Sequence, residues 1–215
     1  MPSLTTIALA LASAASLAVA KPISAATTTT TSPTSIATTS CPSGSAATVL
    51  RTPTMYALDP SQPSATAPTV SQLEVQRASN VTVRYQLAVF ADLPDSPASC
   101  TLGWSQADAD QRDFNVTGNG LLNILQLSSR PDVVTTGAVA ALEEEARAAG
   151  SANLHPDTTF WSEPQYPASD HIAGPVACGE SVYLSVQKDE RMGDGYVFLD
   201  QDALNGLTLN VTTCL

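Results

Sequence analysis

The chain has 215 residues, 20 of them acidic and 9 basic, which gives a formal net charge of −11 at pH 7. No run of Lys or Arg occurs, which argues against a nucleic-acid partner or an anionic membrane surface. No CxxC pair, no HxH or HxxxH spacing, and no GxSxG, P-loop or GxGxxG element is present, so no cofactor, zinc site or motif-borne nucleophile is expected.

Residues 1–20 read as a signal peptide. Ile7–Ala20 (IALALASAASLAVA) is apolar or small throughout. It is too short for a membrane span, which needs about 20 apolar residues. It ends in Ala18-Val-Ala20, the small-x-small pattern of a cleavage site. Residues 21–40 (KPISAATTTTTSPTSIATTS) are dominated by Thr and Ser. Such a segment buries too little apolar surface to offset its ordering entropy, and it reads as a disordered, O-glycosylated, mucin-like stalk. Residues 41–215 are one domain's worth of chain. They hold no apolar stretch long enough for a span, and the closing LTLNVTTCL carries no hydrophobic anchor. The expected product is secreted and extracellular, with retention in a cell wall compatible with the same signals.

All four cysteines, Cys41, Cys100, Cys178 and Cys214, fall in this domain. An oxidising destination predicts two disulfides. Three pairings are open. Cys41–Cys214 with Cys100–Cys178 is favoured, because the first ties the start of the domain to its end and the second links two segments that each lead into a strand.

Three N-glycosylation sequons occur, at Asn80, Asn115 and Asn210, and each should be exposed if used. This tests the strand reading. Over residues 80–89, Val81, Val83, Tyr85, Leu87 and Val89 alternate with Asn80, Thr82, Arg84, Gln86 and Ala88. Over 207–212, Leu207, Leu209 and Val211 alternate with Thr208, Asn210 and Thr212. Both sequon asparagines fall on the polar face.

Period-two patterning extends through the domain. Gln72–Gln76 alternates, Thr101–Trp104 is short and β-prone, and Leu121–Leu127 is a nearly continuous apolar run that reads as a central strand covered on both faces. The turn Gly118-Asn-Gly120 precedes it. Val182, Leu184 and Val186 oppose Ser181, Tyr183, Ser185 and Gln187. Met192–Gly195 marks a turn before a strand at Tyr196–Leu199. Short strands divided by Gly, Pro and Asp clusters predict a mainly β fold, an antiparallel, jelly-roll-like β-sandwich. One helix interrupts it at Thr136–Ala149, with Thr135 or Thr136 as cap, Gly150 as its C′ residue and Val139, Leu142 and Ala146 as a narrow apolar stripe. Its consecutive Glu143, Glu144 and Glu145 point in different directions and read as a solvated face.

Candidate chemistry is sparse. His155 and His171, both read as loop residues, could meet a metal with Asp157 or Asp170. Distant Ser, His and Asp residues could assemble a triad. Asp108 with Asp110, and Asp200 with Asp202, read as exposed turns. Met192-Gly-Asp-Gly-Tyr196 offers oxygen ligands for calcium without EF-hand spacing. Trp104, Trp161, Tyr166, Tyr183 and Tyr196 could form a sugar-stacking platform. The favoured alternative puts Trp104 in the core beside a disulfide and Trp161 under the Pro-rich loop FWSEPQYP. No catalytic or metal residue is assigned.

The order Thr54-Met-Tyr56, Asp59-Pro60, Cys100-Thr-Leu-Gly-Trp104, Gly118–Leu127, Cys178-Gly-Glu-Ser-Val-Tyr-Leu184 and a final GLTLNV resembles the fungal secreted and cell-wall proteins carrying the But-two C-terminal domain. The likeness spans roughly Val49–Leu215, and segment 136–149 stands outside the family pattern. It implies a β-rich extracellular or cell-wall domain with no catalytic signature. The family's name comes from binding a ubiquitin-pathway protein, a role that does not suit a chain with a signal peptide. The leading expectation is a non-enzymatic interaction protein, with a cell-wall polysaccharide or an extracellular protein as its partner. The competing one is a secreted hydrolase that uses carboxylates at acidic pH. A binding module should present exposed aromatics. A hydrolase should show a deep cleft with two carboxylates, at least one of them buried.

Overall fold

A computed structural model describes Cys41 and residues 44–215. The predicted signal peptide and Thr/Ser-rich segment lie outside the described residues. In chain order the strands are β1 (Ser45–Leu50), β2 (Thr54–Leu58), β3 (Thr69–Val70), β4 (Gln72–Ala78), β5 (Val81–Phe90), β6 (Pro97–Gln106), β7 (Phe114–Gly118) and β8 (Leu122–Leu127). Helix α1 (Thr136–Ala149) follows, then β9 (Asn153–Leu154), β10 (Ser169–Val176), β11 (Val182–Lys188), β12 (Gly195–Asp200) and β13 (Gly206–Cys214). Strand pairing is antiparallel throughout the two sheets.

The smaller sheet runs β1-β13-β6-β10, and the larger runs β7-β12-β4-β5-β11-β8-β9 with β2 and β3 joined alongside β5. The sheets curl into a half-barrel. Their facing side chains make the main core: Leu102, Trp104, Leu209 and Val211 from one sheet meet Val75, Phe90, Ile124 and Leu184 from the other. The alternating patterns of residues 72–76, 182–187 and 207–212 therefore bury the side predicted.

A second core lies on the far face of the larger sheet, where α1 covers Tyr85, Leu87, Leu125 and Leu127 with Val139 and Ala146. The helix thus lies over a sheet face, not at an edge. It spans the predicted residues, is capped by Thr135 Oγ1 accepting from Ala138 N at 3.2 Å, and ends at Gly150 with φ 70°. Because of this third layer β8 is covered on both faces, as expected, although its outer neighbour is only the two-residue β9.

The disulfides are Cys41–Cys214 and Cys100–Cys178, with Cα separations of 5.1 and 5.5 Å. They close the favoured pairing of the three.

Four expectations are corrected. Glu143 is not solvated: it is 5 % exposed and points under the helix. It stands four residues after Val139 and three before Ala146, on the same helix face. His171 lies in β10 and not in a loop. Pro175 and Gly174, which make the segment read as loop, are tolerated because β10 is an edge strand with a bulge between Ile172 and Gly174. The short strand expected at Thr101–Trp104 is the ten-residue β6. Gly103 lets it approach β10 closely, since a Cβ there would lie 2.1 Å from the His171 carbonyl oxygen.

The fourth concerns residues 80–89. Asn80 is in the turn of the β4–β5 hairpin, where Ser79 and Asn80 both adopt positive φ (52° and 61°). Val81 and Val83 keep the phase of Tyr85 and Leu87 but are 61 % and 42 % exposed, because α1 does not reach them. From Tyr85 onward both faces of β5 are buried, Gln86 and Ala88 included.

The larger sheet forks at β5. Its first half pairs with β4 and its second half with β2. Gln86 bridges the fork: its Nε2 donates to the Gln72 carbonyl at 2.9 Å, and its Oε1 accepts from Glu74 N at 2.9 Å. A side-chain amide thereby replaces the missing stretch of ladder.

Candidate functional site

Two open surface concavities lie on opposite sheets of the fold. A groove of about 830 Å³ occupies the fork, with Leu58, Val70, Val81 and Val83 on its apolar floor and Asp59, Glu74 and Arg84 on its walls. A cleft of about 630 Å³ lies where the smaller sheet meets the turns at 107–111 and 203–204.

The cleft is built by strand register. Asp170 of β10 stands opposite Ser105 of β6, and Arg51 follows the last residue of β1. Arg51 Nη1 donates to Ser105 Oγ at 2.7 Å, and Ser105 Oγ donates to Asp170 Oδ1. Arg51 Nη2 also lies 3.7 Å from Asp170 Oδ1. Ser105 is 3 % exposed, whereas the Asp170 side chain is 78 % exposed, so a buried hydroxyl anchors two charged groups that reach solvent. Asp108 accepts from Ala168 N at 3.0 Å across the cleft, and Leu204 adds an exposed aliphatic group. A guanidinium and a carboxylate held in this way offer directional donors and acceptors to a polar ligand.

The same register prevents a Ser-His-Asp triad here. His171 is paired with Trp104, one residue along from the Asp170–Ser105 pair, and successive side chains leave a strand on opposite faces. The His171 ring accordingly stacks on Trp104 with centroids 4.5 Å apart and 19° between planes, and Trp161 closes over it at 4.1 Å. Burial lowers the His171 pKa, with Arg112 acting in the same direction and Asp170 opposing.

Trp104 is buried in the core four residues from Cys100, and Trp161 is half-buried with Tyr166 at 4.8 Å. Arg112 ties the loop above them down by donating to the carbonyls of Ala107, Glu163 and Tyr166 at 2.8, 3.0 and 3.1 Å. Tyr183 packs against the second core, and Tyr196 is half-buried on β12, its hydroxyl pKa raised by burial and by Glu74. The five aromatics do not form one exposed platform.

The remaining candidates are structural. Both Asp194 carboxylate oxygens accept from the 79–80 turn, from Ser79 N at 2.7 Å and Asn80 N at 2.9 Å. Asp202 Oδ1 caps its own turn through Leu204 N and Asn205 N, and Asp200 Oδ2 accepts from Asp113 N. Asp110 is exposed. His155 Nδ1 is 2.9 Å from Asp189 Oδ2, and Asp189, bonded to Arg191, has its pKa lowered to about 2. Lys188 is fully buried; burial lowers its pKa to about 8, and its Nζ donates to the carbonyls of Asn119 and Leu121. Among the described residues no group of three or more His, Cys, Asp or Glu side chains is placed to hold a metal ion.

The sequon asparagines occupy three different settings. Asn80 is exposed at a hairpin tip and Asn115 is exposed on the edge strand β7. Asn210 is half-buried on β13, opposite Val49 and Thr101, with Leu209 and Val211 on the core side.

The cleft residues Arg51, Ser105 and Asp170 were not marked by spacing, since 54 and 65 positions separate Ser105 from its two partners. The available signal was the outward phase of Thr101, Gly103 and Ser105 once β6 is extended past Trp104. Fold and cleft together define the class: a disulfide-stapled antiparallel β-sandwich carrying a polar surface cleft. No family model, curated protein or solved structure matches this chain.

Proposed function

We propose that the chain is a secreted, N-glycosylated binding protein of the extracellular space or cell wall, and that it holds polysaccharide in the Arg51–Asp170 cleft without turning it over. The observation that carries this reading is the Arg51–Ser105–Asp170 array, in which a buried hydroxyl fixes a guanidinium and an exposed carboxylate in one open polar cleft. Charged planar groups of this kind bond neighbouring sugar hydroxyls well. Two disulfides suit an oxidising compartment. The resemblance to fungal wall proteins with the But-two C-terminal domain agrees with this setting.

Carboxylate catalysis has weaker support. The fork groove does hold two carboxylates, Asp59 and Glu74. Glycoside hydrolysis needs one of a pair to keep its proton. Asp59, however, has its pKa lowered by hydrogen bonds from Ser61, and Glu74 is ion-paired with Arg84.

The test is retention of the secreted protein on insoluble cell-wall polysaccharides, for wild type, R51A and D170N, with a glycosidase panel at acidic pH run in parallel. Wild type should be retained, and each variant should bind about tenfold more weakly. Equal retention of all three removes the cleft as the site, and turnover in the panel favours the carboxylate reading.

A further inference from the structure

We infer that the fork groove is occupied by the protein's own N-linked glycan on Asn80, whose first sugars lie over Val81 and Val83. The inference rests on the glycosylation proposed above and adds a structural role for one glycan.

The groove floor continues the second core. Val81 and Val83 share the phase of Tyr85, Leu87 and Val89, which α1 covers, but the helix ends short of them. Two β-branched aliphatic residues are left 61 % and 42 % exposed on one face. Together they give the groove a small apolar floor against which the face of a ligand can pack.

The sequon begins at the end of that strip. Val81 and Thr82, its second and third residues, themselves line the groove, and Asn80 is exposed beside them. The other two sequons differ. The middle residue at Asn115, Val116, packs against the main core, and that at Asn210, Val211, is 1 % exposed. Asn210 does face one exposed aliphatic residue, Val49 (45 %), across the β1–β13 pair, whereas the two exposed valines next to Asn80 lie on its own strand and line the groove.

Chemistry and tethering both suit a sugar here. A pyranose presents apolar C–H faces and polar edges. The groove presents a valine floor with Ser61, Gln62 and the Glu74–Arg84 pair at its sides. Covalent attachment makes the contact intramolecular, so a weak interaction suffices. The anchor is also fixed in direction, because Asp194 holds the backbone amides of both turn residues.

The experiment uses the full chain from a eukaryotic secretory host. Mass spectrometry first reads occupancy at Asn80. Wild type is then compared with N80D, N115D and N80D/V81T/V83T by binding of an apolar-surface dye and by thermal unfolding. Aspartate tolerates the left-handed turn position, so N80D removes the glycan and keeps the hairpin. The expected result is an occupied site, higher dye fluorescence in N80D with a Tm lowered by about 2–4 °C, dye binding restored to the wild-type level in the triple variant, and no dye response in N115D. An occupied site with unchanged dye binding and Tm in N80D overturns the groove assignment and leaves glycosylation standing. An empty Asn80 overturns both at this position.

Discussion

Glu143 Oε1 accepts a hydrogen bond from Ser185 Oγ at 2.5 Å, joining α1 to β11 beneath the helix. Gln187 Nε2 donates to the same oxygen at 2.7 Å, and Arg147 Nη2 reaches Glu143 Oε2 at 3.1 Å from one turn along the helix. The carboxylate is thus satisfied on both oxygens where the second core meets the sheet. E143A would strand the Ser185 and Gln187 donors, at a cost of about 2–4 kcal/mol, whereas S185A removes one donor and costs about 1 kcal/mol. Urea unfolding of the two variants checks this. A shift in E143A no larger than that of an exposed Glu144→Ala control would mean that Glu143 behaves as a solvated residue.

The same residue shows what could be read in the sequence and what could not. Period-two alternation located the main-core strands because one face of each packs on the opposite sheet, and the helix was marked by its composition, cap and closing glycine. Glu143 sits on the Val139–Ala146 face, so its burial was implicit in the spacing, but three consecutive glutamates resemble a solvated run. Exposure of Val81 and Val83 was not legible, because it depends on where α1 ends over the sheet. The cleft was not legible for a similar reason: register across three strand pairs, β1–β13, β13–β6 and β6–β10, brings Arg51, Ser105 and Asp170 together. His171 was hidden because Pro175 and Gly174 are loop signals unless the strand is known to be at an edge.

His171 should make stability sensitive to mild acid. Burial between Trp104 and Trp161 holds its folded-state pKa below the usual 6.5. The unfolded chain therefore takes up a proton first as pH falls through about 6.5, and stability declines from there until the folded-state pKa is passed. Asp189 acts in a lower window: its stabilising ionisation is present above the ordinary 3.8 and is lost as pH falls towards about 2. Unfolding free energies of wild type and H171F, measured between pH 7 and 5, should diverge in slope, with H171F flatter. Parallel curves would show that His171 contributes no proton linkage.

Gln86 offers the sharpest test of how the fork is held. It is 1 % exposed, and its carboxamide supplies both the donor for Gln72 O and the acceptor for Glu74 N. Q86L keeps most of the volume and strands both peptide groups, so it should cost about 2–4 kcal/mol and strip hydrogen-exchange protection from the Glu74 amide. Q86E separates the hydrogen bonds from the shape. An ionised carboxylate still accepts from Glu74 N but turns an acceptor towards the Gln72 carbonyl, whereas the protonated acid restores a donor. Its pKa in the folded state is thus expected above the unfolded 4.3, which makes Q86E most stable below that value and progressively weaker as pH rises through the folded-state pKa. A Q86E variant with the wild-type pH profile, together with a Q86L variant that keeps Glu74 protected, would mean that the two strands hold the fork without the amide.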